Sequence, residues 1–236
     1  MHPFQSVPLR PTQHAEHQLV VSILDGTFPP HTTLPNERSL AAALGVTRPT
    51  LRETLHRLAR EGWITIRQGR PTMVNDYWQQ GGMGLLSTMA RHTDDLPDGF
   101  VRHLLQVRAH MMPLIARLAC RRRPERLLAM LADSRQPDDS AAAFTDYDWQ
   151  LHLVMAKNSG NPIYTLILND FTPMFQTLGR RYFKMEKARR ASRHYYHMLQ
   201  HKIADDCEGV EELVRGTMQD SIDLWNHVRA MHRAAS

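Results

Sequence analysis

Leu34-Pro35-Asn36-Glu37-Arg38-Ser39-Leu40-Ala41, followed by Gly45-Val46-Thr47-Arg48-Pro49-Thr50-Leu51-Arg52-Glu53, decides the fold of the N-terminal part of this chain. Asn36 is a residue type that accepts a backbone N–H at a helix start, and it predicts a short helix over 37–44 that stops at Gly45. Thr47 can cap a third helix, Arg48 to Glu61, with Pro49 in the first turn, where a missing N–H costs nothing. Gly62 is the residue expected just past its end. A short turn centred on Gly45-Val46 between two such helices is what a helix-turn-helix requires.

Working outward, Ala15, Leu19, Val20, Ile23 and Leu24 recur at helical spacing and predict a first helix over Thr12 to Leu24, ended by Gly26. Downstream, Trp63 to Arg67 alternates as a strand. Gln68-Gly69-Arg70 is a turn and Pro71 to Val74 a return strand, which together make a wing. Base edges lie deep in the major groove, so a recognition helix needs basic and polar groups on its first exposed turns. Arg48 and Arg52, four residues apart, share a face, with Thr47 and Thr50 beside them. Arg48 suits a bidentate contact to guanine, and Arg52 a base or a phosphate. Leu51, Leu55 and Leu58 form the opposite, packed face, and Arg38 can reach the DNA backbone. At the wing tip Gly69 allows close approach to the minor groove and Arg70 supplies the attraction. Residues 1–75 hold eight arginines against five acids, a surplus of only +3, so placement matters more than total charge.

The 236 residues carry 42% hydrophobic and 22% charged side chains, as an ordinary globular chain does. No apolar run approaches the roughly 20 residues of a membrane helix, and Met1 to Gln5 does not open a secretory signal. A cytoplasmic protein is expected, with Cys120 and Cys207 as reduced thiols. The net charge of +5 favours polyanionic partners. The pattern predicts a mostly α protein in two parts: a winged helix-turn-helix domain over 1–76, a linker over 77–84 with three glycines, and a helical domain over 85–236. From residue 83 about seven helices are expected, near 83–92, 97–122, 124–134, 139–158, 161–185, 187–207 and 209–232, forming an antiparallel bundle with room for a ligand between helices.

That bundle is rich in Met and aromatic side chains, among them Met111, Met174, Met218, Tyr182, Tyr196 and Trp225. They read either as core filler or as an adaptable apolar pocket for a long chain. A basic run at Arg180, Arg181, Lys184, Lys187, Arg189, Arg190 and Arg193, offset by Glu186, reads as a solvated face or as an attraction for the phosphates of a coenzyme A head group. No activated nucleophile with its base and no Gly-rich phosphate loop is present, so an enzyme is not expected.

The quoted stretch, with Leu58-Ala59-Arg60-Glu61-Gly62-Trp63, resembles the winged-helix signature of the GntR family of transcriptional regulators. Arg70-Pro71-Thr72, Tyr77-Trp78, Ser159-Gly160-Asn161-Pro162-Ile163-Tyr164 and Gly179-Arg180-Arg181-Tyr182-Phe183 extend the resemblance, over nearly the whole chain, to the FadR type within that family. The resemblance implies a homodimer on a palindromic double-stranded DNA operator, regulating fatty acid metabolism and released by long-chain fatty acyl-CoA. It implies DNA contacts from Arg38, Thr47, Arg48, Thr50, Arg52, Gln68, Gly69 and Arg70, and ligand contacts from Arg108, Tyr182, Tyr196, Ser221 and Trp225. Pro49 stands where a hydroxyl residue is usual, Gln68 where a histidine is, Arg70 where a lysine is, and Thr217-Met218 where Tyr-Gly is. Related GntR regulators hold a metal with one Asp and three His. Asp148, His152 and His197 match part of that set, but Ser221 falls near the fourth position, with His201 as a possible substitute. The alternative function is therefore a regulator sensing a small carboxylate through a bound metal. No metal and no cofactor beyond the acyl-CoA effector is the main expectation.

Overall fold

The computed structural model describes residues 10–92, 96–97, 99–132 and 137–234. The chain divides into two compact units, residues 1–97 and 98–236.

The first unit opens with α1 (Pro11–Leu24), which buries Ala15, Leu19, Val20 and Ile23. Next come α2 (Glu37–Ala43) and α3 (Arg48–Glu61). Both are capped as their sequence dictates: Asn36 Oδ1 accepts from Ser39 N at 2.9 Å, and Thr47 Oγ1 from Thr50 N at 3.3 Å. Gly62 closes α3 at φ +94°, a left-handed conformation in which a Cβ would be strained and would also press on the backbone at Gln80 and Gly81. Leu51, Leu55 and Leu58 are buried, and α3 packs on α1 and α2.

The wing is shorter than its alternation suggests. Antiparallel pairing covers β1 (Ile64–Thr65) and β2 (Met73–Val74), with Ile64 opposite Val74 and Thr65 opposite Met73. The other edge of β2 is taken by residues 31–34: Val74 N bonds Thr32 O and Leu34 N bonds Thr72 O, both at 2.8 Å. That third strip lies between two proline-containing stretches and escaped the sequence reading. Its backbone groups are paired only once the chain has folded back.

The stretch expected as a linker, 77–84, contains α4 (Tyr77–Gln80) and opens α5 (Met83–Arg91). Both belong to the first unit for definite reasons. The Tyr77 ring lies 5.3 Å from that of Trp63, and Thr88 donates to Glu61. Arg91 donates to the buried Glu16 carboxylate at 2.8 Å, which Arg57 also pairs. His17 and His92 sit Nδ1 to Nδ1 at 2.8 Å.

The second unit is the helical bundle: α6 (Phe100–Arg122), α7 (Pro124–Ala132), α8 (Ala141–Asn158), α9 (Pro162–Phe183), α10 (Glu186–Ala204) and α11 (Val210–Ala234). Among the described residues, these six and α5 match the seven helices expected after residue 83, with ends shifted by up to three residues, but α5 belongs to the first unit, so six rather than seven helices form the bundle. Helix α8 packs on α9 and α6 on α11. Close approach of the first pair needs Gly179, whose added Cβ would meet Thr145 Cγ2 at 2.8 Å. Ser140 caps α8 and Asn161 caps α9.

The cysteines correct an expectation. Cys120 and Cys207 are not reduced thiols but form a disulfide, with Cα atoms 6.0 Å apart across 87 residues of sequence. The last turn of α6 and the turn between α10 and α11 come together, which two isolated cysteines in a sequence do not announce. Among the described residues, no helix is long and apolar enough to cross a membrane.

Candidate functional site: a DNA-reading surface and a ligand cavity

Helix α3 turns its leucines inward, and this alone places Arg48 and Arg52 outward. Arg48 and Arg52 are exposed, as are Arg38, Thr47 and the wing-tip residues Gln68, Gly69 and Arg70; Thr50 is half-buried. Arg52 is not idle: its Nε donates to Glu37 Oε2 at 2.7 Å, so a phosphate would compete with that carboxylate for it. The Thr47 and Thr50 hydroxyls lie 2.9 Å apart and hold one another in place. Among the described residues, Arg38 and Arg48 make no ion pair. Exposed guanidinium groups cost little to hold in water and become valuable against phosphates and guanine edges.

The second unit encloses a cavity of about 800 Å³, within the range of a ligand site. Helices α6, α8, α9, α10 and α11 wall it. Most of the wall is apolar, with Met111, Phe171, Met174, Phe175, Leu178 and Leu224 prominent. Met112 and Met218 line it too, whereas Met155 packs in the core.

Four of the five residues expected to touch a ligand, Arg108, Tyr182, Ser221 and Trp225, share this wall. A terminal nitrogen of Arg108 donates to Ser221 Oγ at 2.8 Å, and Ser221 Oγ donates to Met218 O at 2.7 Å. Arg108 Nε and Trp225 Nε1 are buried donors with no hydrogen-bond partner among the described residues. Burial pushes the Tyr182 phenol up to about 12, so its proton is retained at neutral pH.

Tyr196 stands apart from the other four. It is buried behind the wall, its hydroxyl donates to Asp148 Oδ1 at 3.0 Å, and its neighbour Tyr195 lines the cavity instead. Asp148 does line the cavity, although the resemblance implied it only as part of a metal set. The helical register is the reason: Tyr195 and Tyr196 are adjacent and so point about 100° apart on α10, and only one can face the cavity.

The basic run is divided. Arg180, Arg181, Lys184, Lys187 and Arg190 are exposed, and Lys187 alone of the seven lines the cavity. Arg189 and Arg193 each reach Asp139 Oδ1 at 2.9 Å. Those hydrogen bonds, Arg189 first, hold the Asp139 carboxyl below its ordinary range. Sequence proximity pointed to Glu186 as the offsetting acid, whereas Asp139 comes from fifty residues upstream.

Asp148 and His152 do meet, with Nδ1 3.6 Å from Oδ2, but Nδ1 is engaged with the Asp148 carbonyl oxygen at 2.6 Å. Burial holds the His152 imidazole below its ordinary pKa against the opposing pull of Asp148, so the ring is neutral at pH 7. His197 is exposed and lies beside His201, 3.2 Å between Nε2 atoms. Among the described residues, no three His, Cys, Asp or Glu side chains gather as a metal site would require.

Two family models match this chain. Residues 11–74 match the gntR family of bacterial regulatory proteins, and residues 75–234 match the FadR C-terminal domain. A fatty acid metabolism regulator protein of Klebsiella pneumoniae strain 342 is 41% identical over 224 residues, covering 93% of this chain and 92% of its own. One of the same name from Edwardsiella ictaluri is 39% identical over 221 residues, with the same coverage. Among solved structures, a Streptococcus agalactiae GntR aligns with 92% of this chain and 99% of its own at 22% identity and a TM-score of 0.39. The chain therefore belongs to the gntR family of bacterial transcription regulators, in the branch that carries a FadR C-terminal domain.

Proposed function

We propose that this chain is a cytoplasmic regulator of fatty acid metabolism that binds a palindromic DNA operator as a homodimer and is released by long-chain fatty acyl-CoA. The observation that carries the reading is the cavity: about 800 Å³ with a mostly apolar wall and one polar end built from Arg108, Ser221 and Trp225. An acyl chain fits the apolar body, and a carbonyl oxygen fits a polar end that holds unpartnered N–H donors. The exposed cations of α9 and α10 supply attraction for the phosphates of the head group. On the DNA side, Arg48 and Arg52 read the major groove, Arg38, Thr47 and Thr50 contact the backbone, and the wing tip at Gln68, Gly69 and Arg70 enters the minor groove.

Release follows from linkage. Two half-sites demand a fixed spacing of two recognition helices. A ligand that prefers another arrangement of the dimer lowers DNA affinity by its own coupling factor, commonly about 5–150-fold. The test is a titration of operator binding with oleoyl-CoA, run beside native mass spectrometry for subunit count. Loss of operator affinity by a dimer is the expected result. Unchanged affinity at saturating oleoyl-CoA overturns the reading.

A further inference from the structure

Cross-links at successive levels join α6 to α11 and to the turn before it: Arg108 donates to Ser221 Oγ at 2.8 Å, Arg117 pairs with Glu211 at 3.0 Å, and Cys120 is bonded to Cys207. Residue numbers rise along one helix as they fall along the other, so the links report a single antiparallel register. The disulfide is the link that chemistry can open and close. Cys120 is fully buried in the bundle core, whereas Cys207 is half-buried. An outside thiolate can therefore reach the Cys207 sulfur but not that of Cys120. Asp206 and Cys207 both hold a left-handed backbone, with φ +64° and +65°, which side chains with a Cβ adopt at a cost. The bond helps to hold that turn, and opening it lets the turn relax. Both forms can fold, because a buried free thiol is a small apolar group suited to a core. The Arg117–Glu211 pair also still joins the two helices, about one turn from Cys120.

We propose that Cys120 and Cys207 are a reversible redox switch, closed by a hydroperoxide and opened by a dithiol, that sets the stiffness of the α6–α11 pair and with it the affinity of the cavity for its effector. The proposal rests on the cytoplasmic and effector readings given above, since disulfides in a reducing compartment are commonly transient and redox-sensing. In closing, the Cys207 thiolate attacks a peroxide oxygen, the O–O bond breaks, and the departing oxygen takes up a proton. The Cys120 thiol then attacks the resulting sulfenic sulfur, loses its proton and expels water. The two sulfurs give up two electrons and the peroxide gains them. In opening, a thiolate of the dithiol attacks the Cys207 sulfur and Cys120 leaves and is protonated. The second thiol of the reductant then frees Cys207. Asp205, Asp206 and Glu208 are exposed around Cys207 and repel an anionic thiol such as glutathione, but not a neutral hydroperoxide. They also disfavour the Cys207 thiolate, which Lys202, with its Nζ against Gly209, offsets. Closed, the bond ties the last turn of α6 to the start of α11 and holds Arg108 opposite Ser221. A site already held in its bound shape loses less freedom when the ligand enters, so the closed form binds more tightly.

The experiment compares full-length protein oxidised with hydrogen peroxide and the same protein reduced with dithiothreitol, without denaturant, with the thiol state read by intact mass. Dithiothreitol is expected to open the bond in the folded protein and to lower the melting temperature by roughly 5–15 °C, and peroxide to reverse both. Calorimetric titration with oleoyl-CoA is expected to show binding about three- to tenfold tighter in the closed form. Cys207→Ala should match the reduced form under both conditions. The main comparison uses one unaltered sequence, so it stands even if that variant fails to fold. A bond that opens only when the protein unfolds, or thiols that peroxide does not close, overturns the switch. Equal oleoyl-CoA affinity in the two forms overturns it as well and leaves the proposed effector standing. Binding by neither form overturns the effector reading, and the tuning of affinity with it.

Discussion

Arg48 and Arg108 carry the same guanidinium in opposite settings. Arg48 stands in water at the start of α3, where its charge costs nothing to keep and does nothing until a polyanion arrives. Arg108 is half-buried in the cavity wall, where its guanidinium depends on partners within the protein and donates to Ser221 Oγ. The surface proposed to meet DNA can therefore be read from residue identity and helix phase, because solvent tolerates any arrangement of exposed charges. The cavity must be read from geometry, because burial makes every polar atom depend on a specific neighbour. In the first unit the core and the working surface are opposite faces of one helix. In the second they are nearly the same residues.

The sharpest way to break that contrast is to cut each apolar set. Leu58, fully buried on the inner face of α3, is expected to cost about 2–5 kcal/mol of stability as Leu58→Ala, read by denaturant unfolding. Phe171→Ala, in the cavity wall, enlarges a space that already exists. It should cost clearly less stability while changing acyl-chain preference. Equal losses from the two would show that the cavity is ordinary core. Next in size is Arg48→Ala. About 1–3 kcal/mol per half-site should be lost from operator binding, with folding untouched, in a competition between operator and random DNA. Undiminished discrimination would mean that the exposed face of α3 is not the reader.

The smallest effect is a pH dependence confined to the second unit. Burial holds His152 below its unfolded pKa, so its contribution to stability is present above about pH 6.5 and is lost as pH falls from there through the folded value, where the unfolded chain takes up the proton first. Melting curves between pH 7 and 5 should show a decline that His152→Gln reduces. An identical decline in that variant would assign the loss to other groups.

Much of the architecture could be read residue by residue. Asn36, Thr47, Pro49 and Gly62 punctuate α2 and α3 with caps and stops whose chemistry is local, and these ends fell where expected. Pro124 and Gly160-Asn161-Pro162 did the same for α7 and α9. Three features were not legible. The strip at 31–34 lacks the alternation of a strand and is paired only through β2. Asp139 neutralises two arginines from a distant stretch of chain. Cys120 and Cys207 meet because α6 packs against α11, and nothing in their spacing says so.

Local chemistry was enough to determine the helices, the inward face of α3 and hence the outward placement of Arg48 and Arg52, because capping and amphipathic period act within a few residues. Only the tertiary structure decided that Asp148 faces the cavity while Tyr196 stands behind it, that Arg108 meets Ser221 across more than a hundred residues, and that the cysteines pair. Those outcomes depend on how helices distant in sequence rotate and approach, and a packed interior fixes that only when all of its side chains are in place.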